Sequence, residues 1–202
     1  MKNRKASKKR KTEETEIKIK LNIDGTGESK IKTGIGLLDH MLQLFAFWGH
    51  FDLDVDVKKG DLNIDIHHTN EDIGIVLGQV FKEALGDKIG IKRIGSASVP
   101  MEDAVASVVT DISGRGFLKF PAAIQFFSNT NDGYEIKDAG HFFESFASHL
   151  GMNLSIDLHA SNNTDLHTNL EPVFKALGIA LDQATQIDPR RKGIPSTKGI
   201  ID

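Results

Sequence analysis

Asp65, His67, Glu71, Leu77 and Gly78 in the stretch DIHHTNEDIGIVLG recur as Asp165, His167, Glu171, Leu177 and Gly178 in DLHTNLEPVFKALG, each 100 residues further along the chain. A helix turns once in about 3.6 residues, so a histidine and a glutamate four apart share a face and can aim at one ion. Imidazole nitrogen and carboxylate oxygen are donors that suit manganese, iron or zinc. A single His and Glu at the head of an amphipathic helix is more often a solvated pair, with the Glu favoured by the helix dipole. Repetition of both positions inside a repeated apolar pattern is what makes a metal site the expectation. His40 and His141 hold matching places in an earlier segment of each half, where Phe45-Ala46 is echoed by Phe146-Ala147. With His68 beside His67, the candidate ligands are His40, His67, His68, Glu71, His141, His167 and Glu171. They suffice for a pair of six-coordinate ions, each keeping a position for substrate, if the halves or neighbouring subunits meet. Taken singly, His40 or His141 reads equally as a hydrogen-bonded core histidine.

The bulk composition narrows the chemistry further. A chain of 202 residues, 39% hydrophobic and 26% charged, is an ordinary globular protein with a core to bury. A net charge of -3 gives no global attraction to nucleic acid or to an anionic membrane, so recognition of phosphate has to be local. The chain has no cysteine, which excludes disulfides, thiolate catalysis and cysteine-ligated zinc or iron-sulfur sites. No apolar run approaches the roughly 18 residues of a membrane span, and the start lacks an apolar signal core. A cytoplasmic protein without a nucleic-acid or membrane partner is expected. Residues 1–12 carry a run of Lys and Arg, MKNRKASKKRK, which reads as a solvated, frayed arm rather than a nucleic-acid tether.

The elements that must position the ligands follow from periodicity. Ile17, Ile19, Leu21 and Ile23 alternate as a strand, the turn Asp24-Gly25-Thr26-Gly27 follows, and Ser29 to Thr33 is expected to return as its hairpin partner. Gly36 to Trp48 is apolar nearly all round, a buried helix. Leu53, Val55 and Val57, then Leu62, Ile64 and Ile66, predict strands on either side of a Lys59-Gly60-Asp61 turn, before a helix from about Thr69 to Leu85. In the second half, strands are expected at Val105 to Ile112, Phe117 to Phe120 and around Leu154, Ile156 and Leu158. Helices are expected at Ala139 to Leu150 and Leu166 to Thr185, with Pro172 tolerated near a first turn. The reading is an α+β unit of duplicated strand-strand-helix-strand-helix halves, residues 13–92 and 93–187, with helices on one face of the sheets and a tail at 188–202.

The passages LDHM (38–41), IDIHHTNEDIGIVLG (64–78), DISGR (111–115), HFF (141–143) and KGIPSTKG (192–199) resemble the imidazoleglycerol-phosphate dehydratase family over nearly the whole chain. The resemblance implies a lyase of histidine biosynthesis that converts imidazole glycerol phosphate to imidazole acetol phosphate. It implies two divalent ions, manganese by preference, which polarise the substrate's imidazole ring. Glu14 is implied as the acid/base group, with His67 and Glu71 at the catalytic centre. Arg93, Arg115, Lys175, Ser196 and Lys198 are implied as ligands of the substrate's phosphate, a task suited to a forked guanidinium and a lysine point charge. A homo-oligomeric shell of 24 subunits built from trimers is implied as well.

The chain departs from the family pattern at Thr168, where the second motif has its second histidine. Threonine is a poor ligand for such a metal, which leaves that site to water, to His149 or to His159. Trp48 stands where the family has histidine, Gly140 where many members have glutamate, and Asn163 and Pro172 replace smaller residues. These changes open a second expectation, a divergent paralogue that keeps the fold and binds metal or phosphate ligands with weak or no turnover. A third, a binding protein without catalysis, is opposed by the intact Glu14 and the intact first motif.

Overall fold

In the first half, alternation along β2 (Glu16–Asn22) turns Ile17, Ile19 and Leu21 inward, and β4 (Asp52–Lys59) answers with Leu53 and Val55 in antiparallel register. The computed structural model describes residues 4–121, 130–160 and 165–201. The elements run β1 (Lys5–Lys11), β2, β3 (Ser29–Lys32), α1 (Gly36–Trp48), β4 and α2 (His67–Leu85). They then repeat as β5 (Ile94–Met101), β6 (Ala104–Asp111), β7 (Phe117–Lys119), α3 (Ile136–Leu150), β8 (Asn153–His159) and α4 (Leu166–Thr185). The two sheets have matching orders, β1-β2-β4-β3 and β5-β6-β8-β7. The α+β class and the duplication are those expected, with one more strand in each half.

Three local expectations are corrected and one strand is added. Lys5–Lys11 is not a frayed arm but strand β1, paired along its length with β2, and its lysines suit a sheet edge because they discourage pairing with another chain. Ser29–Lys32 does not return as a hairpin but lies parallel to β4, because α1 carries the chain across between them. The alternation at Leu62, Ile64 and Ile66 forms no strand. Both edges of β4 are already taken by β2 and β3, and Ile64 is 77% exposed. Finally β5 lacks a strong apolar signal because α4 lies directly on it: a Cβ at Gly95 would sit 1.9 Å from the Ala180 carbonyl oxygen.

Each sheet keeps its helices on one face, α2 over β1 and β2, and α4 over β5 and β6. The helices of the two halves then meet, α2 with α3 and α1 with α4, around a cluster of phenylalanines that includes Phe45, Phe81, Phe142, Phe146 and Phe174. The repeated Leu-Gly of the sequence has its explanation at these crossings. A Cβ at Gly78 would stand 2.7 Å from the Phe146 carbonyl oxygen, and one at Gly178 would stand 2.6 Å from that of Phe45. Glycine therefore lets backbones approach closely enough for side chains on facing helices to converge. Gly178→Ala should destabilise the fold by about 1–3 kcal/mol, as overpacking does. Urea unfolding checks it against Gly193→Ala, where no atom lies within 4 Å and no change is expected.

Candidate metal centre and anion cleft

The Asp165 side chain caps α4 by accepting from the Thr168 amide at 2.7 Å, which starts the helix so that His167 and Glu171 lie on its first turns. The α1–α4 crossing brings His40 against them, its ring centroid 4.9 Å from that of His167. Glu171 Oε2 lies 2.8 Å from His167 Nε2 and 3.3 Å from His40 Nε2, while Lys175 Nζ donates to Oε1 at 2.6 Å. Burial pushes the Glu171 carboxyl up, but the hydrogen bonds from Lys175, His167 and His40 outweigh it and hold it at about 2. The Lys175 ammonium also lies 5.8 Å from the centre of the Trp48 ring.

The other crossing repeats the arrangement more loosely. His67 and His141 approach Nδ1 to Nδ1 at 3.0 Å with rings nearly perpendicular, at 86°. Glu71 Oε2 stands 3.8 Å from His67 Nε2. His68 turns elsewhere: its Nδ1 lies 2.7 Å from Asp61 Oδ2 and 3.8 Å from Glu14 Oε2. The hydrogen bond to Asp61 raises the His68 pKa, against a smaller opposing effect of burial, and Glu14 adds to the rise.

Among the described residues, two groups bring three donor atoms within 4.8 Å of one another: His40, His167 and Glu171, and Glu14, Asp61 and His68. The first offers two imidazole nitrogens and a carboxylate oxygen, with His40 and His167 each 40% exposed and Glu171 13%, so the donors fit a transition-metal ion reached from solvent. The seven expected ligands thus gather at three places: His40, His167 and Glu171 at one crossing, His67, His141 and Glu71 at the other, and His68 apart beside Asp61. The first trio closes without position 168, where Thr168 is buried, and neither His149 nor His159 joins a three-donor group among the described residues. Gly140 has room for a Cβ, 3.6 Å from the Phe120 ring, and Asn163 lies outside the described residues. Asp61 was not anticipated, because the sequence reading assigned it only to a turn.

Arg93, Arg115, Arg191, Ser196 and Lys198 line a separate cavity of about 690 Å³. Arg93 is held by Asp111 through two bonds, at 2.5 and 2.9 Å, and donates to the Pro195 carbonyl at 2.9 Å, which ties the tail onto the second half. Its backbone sits at φ 75, a left-handed conformation that is uncommon for arginine and is held by hydrogen bonds to Ala184 and Ile112. Arg115 and Lys198 line the cavity and make no ion pair among the described residues. Arg191 adds a cation the sequence reading had not included, although the DPRR run at 188–191 was its signal. Lys175, expected with this group, stands instead on Glu171.

Residues 33–181 match the family model described as imidazoleglycerol-phosphate dehydratase. The imidazoleglycerol-phosphate dehydratase of Geobacter metallireducens is 50% identical over 97% of this chain and 98% of its own length. That of Bacillus pumilus is 50% identical over 98% and 100%. The crystal structure of the Staphylococcus aureus dehydratase superposes with a TM-score of 0.77 at 33% identity, covering 91% of this chain and 99% of that one. The Pyrococcus furiosus enzyme in complex with (S)-C348 gives 0.78 at 30% identity over 96% and 99%.

Proposed function

The chain belongs to the imidazoleglycerol-phosphate dehydratase family, and from that premise we infer that its imidazole–carboxylate trios and its cation cleft together remove water from imidazole glycerol phosphate. The protein is a lyase and the reaction is a step of histidine biosynthesis. The observation that carries the site assignment is the convergence of His40, His167 and Glu171 from α1 and α4, echoed by His67 and His141 from α2 and α3.

In this reading the trio His40–His167–Glu171 and the looser set of His67, His141 and Glu71 would hold a pair of divalent ions, manganese by preference, with His68 as a further donor. Ions bound there supply Lewis acidity toward the imidazole ring of the substrate. Glu14, on the turn between β1 and β2, takes up the carbon-bound proton at its carboxylate and returns one to the departing hydroxyl. Arg115, Arg191, Ser196 and Lys198 receive the phosphate, and Arg93 fixes the tail that carries the last two. The shell of 24 subunits and the cytoplasmic setting belong to the same reading. Exposed Ile94, Val109 and Phe117 on the outer face of the second sheet favour self-association. None of the described helices is long and apolar enough to cross a membrane.

The divergent-paralogue reading is not favoured, because relatives named as the dehydratase are 50% identical across 97% of the chain. The test is to incubate manganese-loaded protein with imidazole glycerol phosphate and follow imidazole acetol phosphate. Product that disappears on chelation and returns with manganese supports the assignment; bound ions without product would favour the paralogue. Lys198→Ala should raise KM at least tenfold, since a charge-assisted bond contributes roughly 1.5–3 kcal/mol. Metal content per subunit should stay as in the parent.

A further inference from the structure

Asp72 is buried on α2, belongs to no metal trio, and yet receives two hydrogen bonds from the N-terminal hairpin. Arg10 Nε donates to its Oδ1 at 2.8 Å and Thr15 Oγ1 donates to its Oδ2 at 2.5 Å. Having given its proton to Asp72, the Thr15 hydroxyl accepts from Thr12 Oγ1 at 3.2 Å. Thr12 Oγ1 in turn accepts from the amides of Glu14 at 3.1 Å and Thr15 at 2.9 Å. The turn that carries Glu14 is therefore one connected set of bonds, tied to α2 at Asp72.

That anchor lies where it can act on Glu14. His68 and Asp72 are four apart on α2 and share a face. A turn fastened to Asp72 hangs over His68, and the Glu14 carboxylate stands 3.8 Å from the His68 imidazole. The second half shows that the fold does not require this carboxylate. The residue of α4 that corresponds to Asp72 is Pro172, which offers no side-chain acceptor, and β5 and β6 pack on α4 without one. A buried acid kept in only one of two similar halves, beneath the turn that bears Glu14, serves something other than hairpin-on-helix packing.

We propose that Asp72 is a positioning residue for Glu14: its bonds to Arg10 and Thr15 hold the β1–β2 turn so that the Glu14 carboxylate stays over the His68 face of α2. The proposal rests on the reading of Glu14 as the proton-transfer group. Displacing a reacting group by about 1 Å can cost as much as 100-fold in rate. Asp72→Asn should therefore lower kcat by roughly 10- to 100-fold, with KM and manganese per subunit unchanged.

The experiment measures kcat, KM and bound manganese for Asp72→Asn and Thr15→Val in the full chain, alone and combined with Glu14→Gln. Thr15→Val keeps the side chain's shape and serves even where Asp72→Asn fails to fold. The expected pattern is a kcat loss in each single variant, none in Thr15→Ser, and no further loss when either change is added to Glu14→Gln. An unchanged kcat in Thr15→Val, a full multiplicative loss on the Glu14→Gln background, or loss of manganese alongside rate would overturn the proposal. A Glu14→Gln enzyme as fast as the parent would instead remove the reading of Glu14 on which it stands.

Discussion

Glu171→Gln should release one of the two ions and abolish turnover while the chain stays folded. The carboxylate is the only anionic donor of its trio, and it lies within 2.8 Å of His167 and 3.3 Å of His40. An amide keeps the shape but loses the charge, and it leaves the Lys175 ammonium without its partner at 2.6 Å. Changes to groups that merely support metal ligands cost about 10–100-fold in affinity, so loss of a ligand should exceed that range. Manganese retained after gel filtration, counted per subunit, should fall by half, and Glu71→Gln should do the same at the other crossing. The substitution also has a pH signature. In the metal-free protein Glu171 is held at about 2, below the ordinary carboxylate value of 4.5, so the stability it contributes there is present above pH 4.5 and is lost as pH falls toward 2. Parent and variant should thus differ in stability at neutral pH and converge in acid.

Glu14→Gln should give the opposite separation, with rate lost and metal kept. The Glu14 side chain is 58% exposed and lies 3.8 Å from His68. Nothing in the core depends on it, so the melting temperature and manganese content should match the parent. A positioned acid or base contributes about 100- to 10,000-fold to rate, and kcat should fall within that range. Comparable loss of manganese in this variant would make Glu14 a ligand, as its place beside Asp61 and His68 also allows, rather than the proton carrier.

The candidate donors stood out because metal chemistry restricts residue type and helices restrict spacing, so repetition alone singles out His67 and Glu71. The span of α4 was legible for a related reason: the apolar stripe of Val173, Leu177, Ala180 and Ala184 is a local signal. What escaped depends on contacts distant in sequence. Lys5–Lys11 looks solvated until β2 is placed beside it, and β5 looks weak until α4 covers Gly95. Leu62 and Ile64 alternate as strand residues do, but the positions beside β4 are filled. Asp61 and Asp72 are common surface residue types, and only the folded hairpin and turn show that one meets His68 and the other meets Thr15. Repetition thus marks chemistry, while the residues that orient it depend on which segments come to lie together.

If the proposed function holds, α1 with α4, and α2 with α3, each deliver imidazole and carboxylate to one divalent ion. Crystals of manganese-loaded protein measured at the manganese absorption edge test this directly. Two anomalous peaks per subunit are expected, one within bonding distance of His40, His167 and Glu171 and the other within bonding distance of His67, His141 and Glu71. Peaks that avoid both trios, or a map with none, would contradict it.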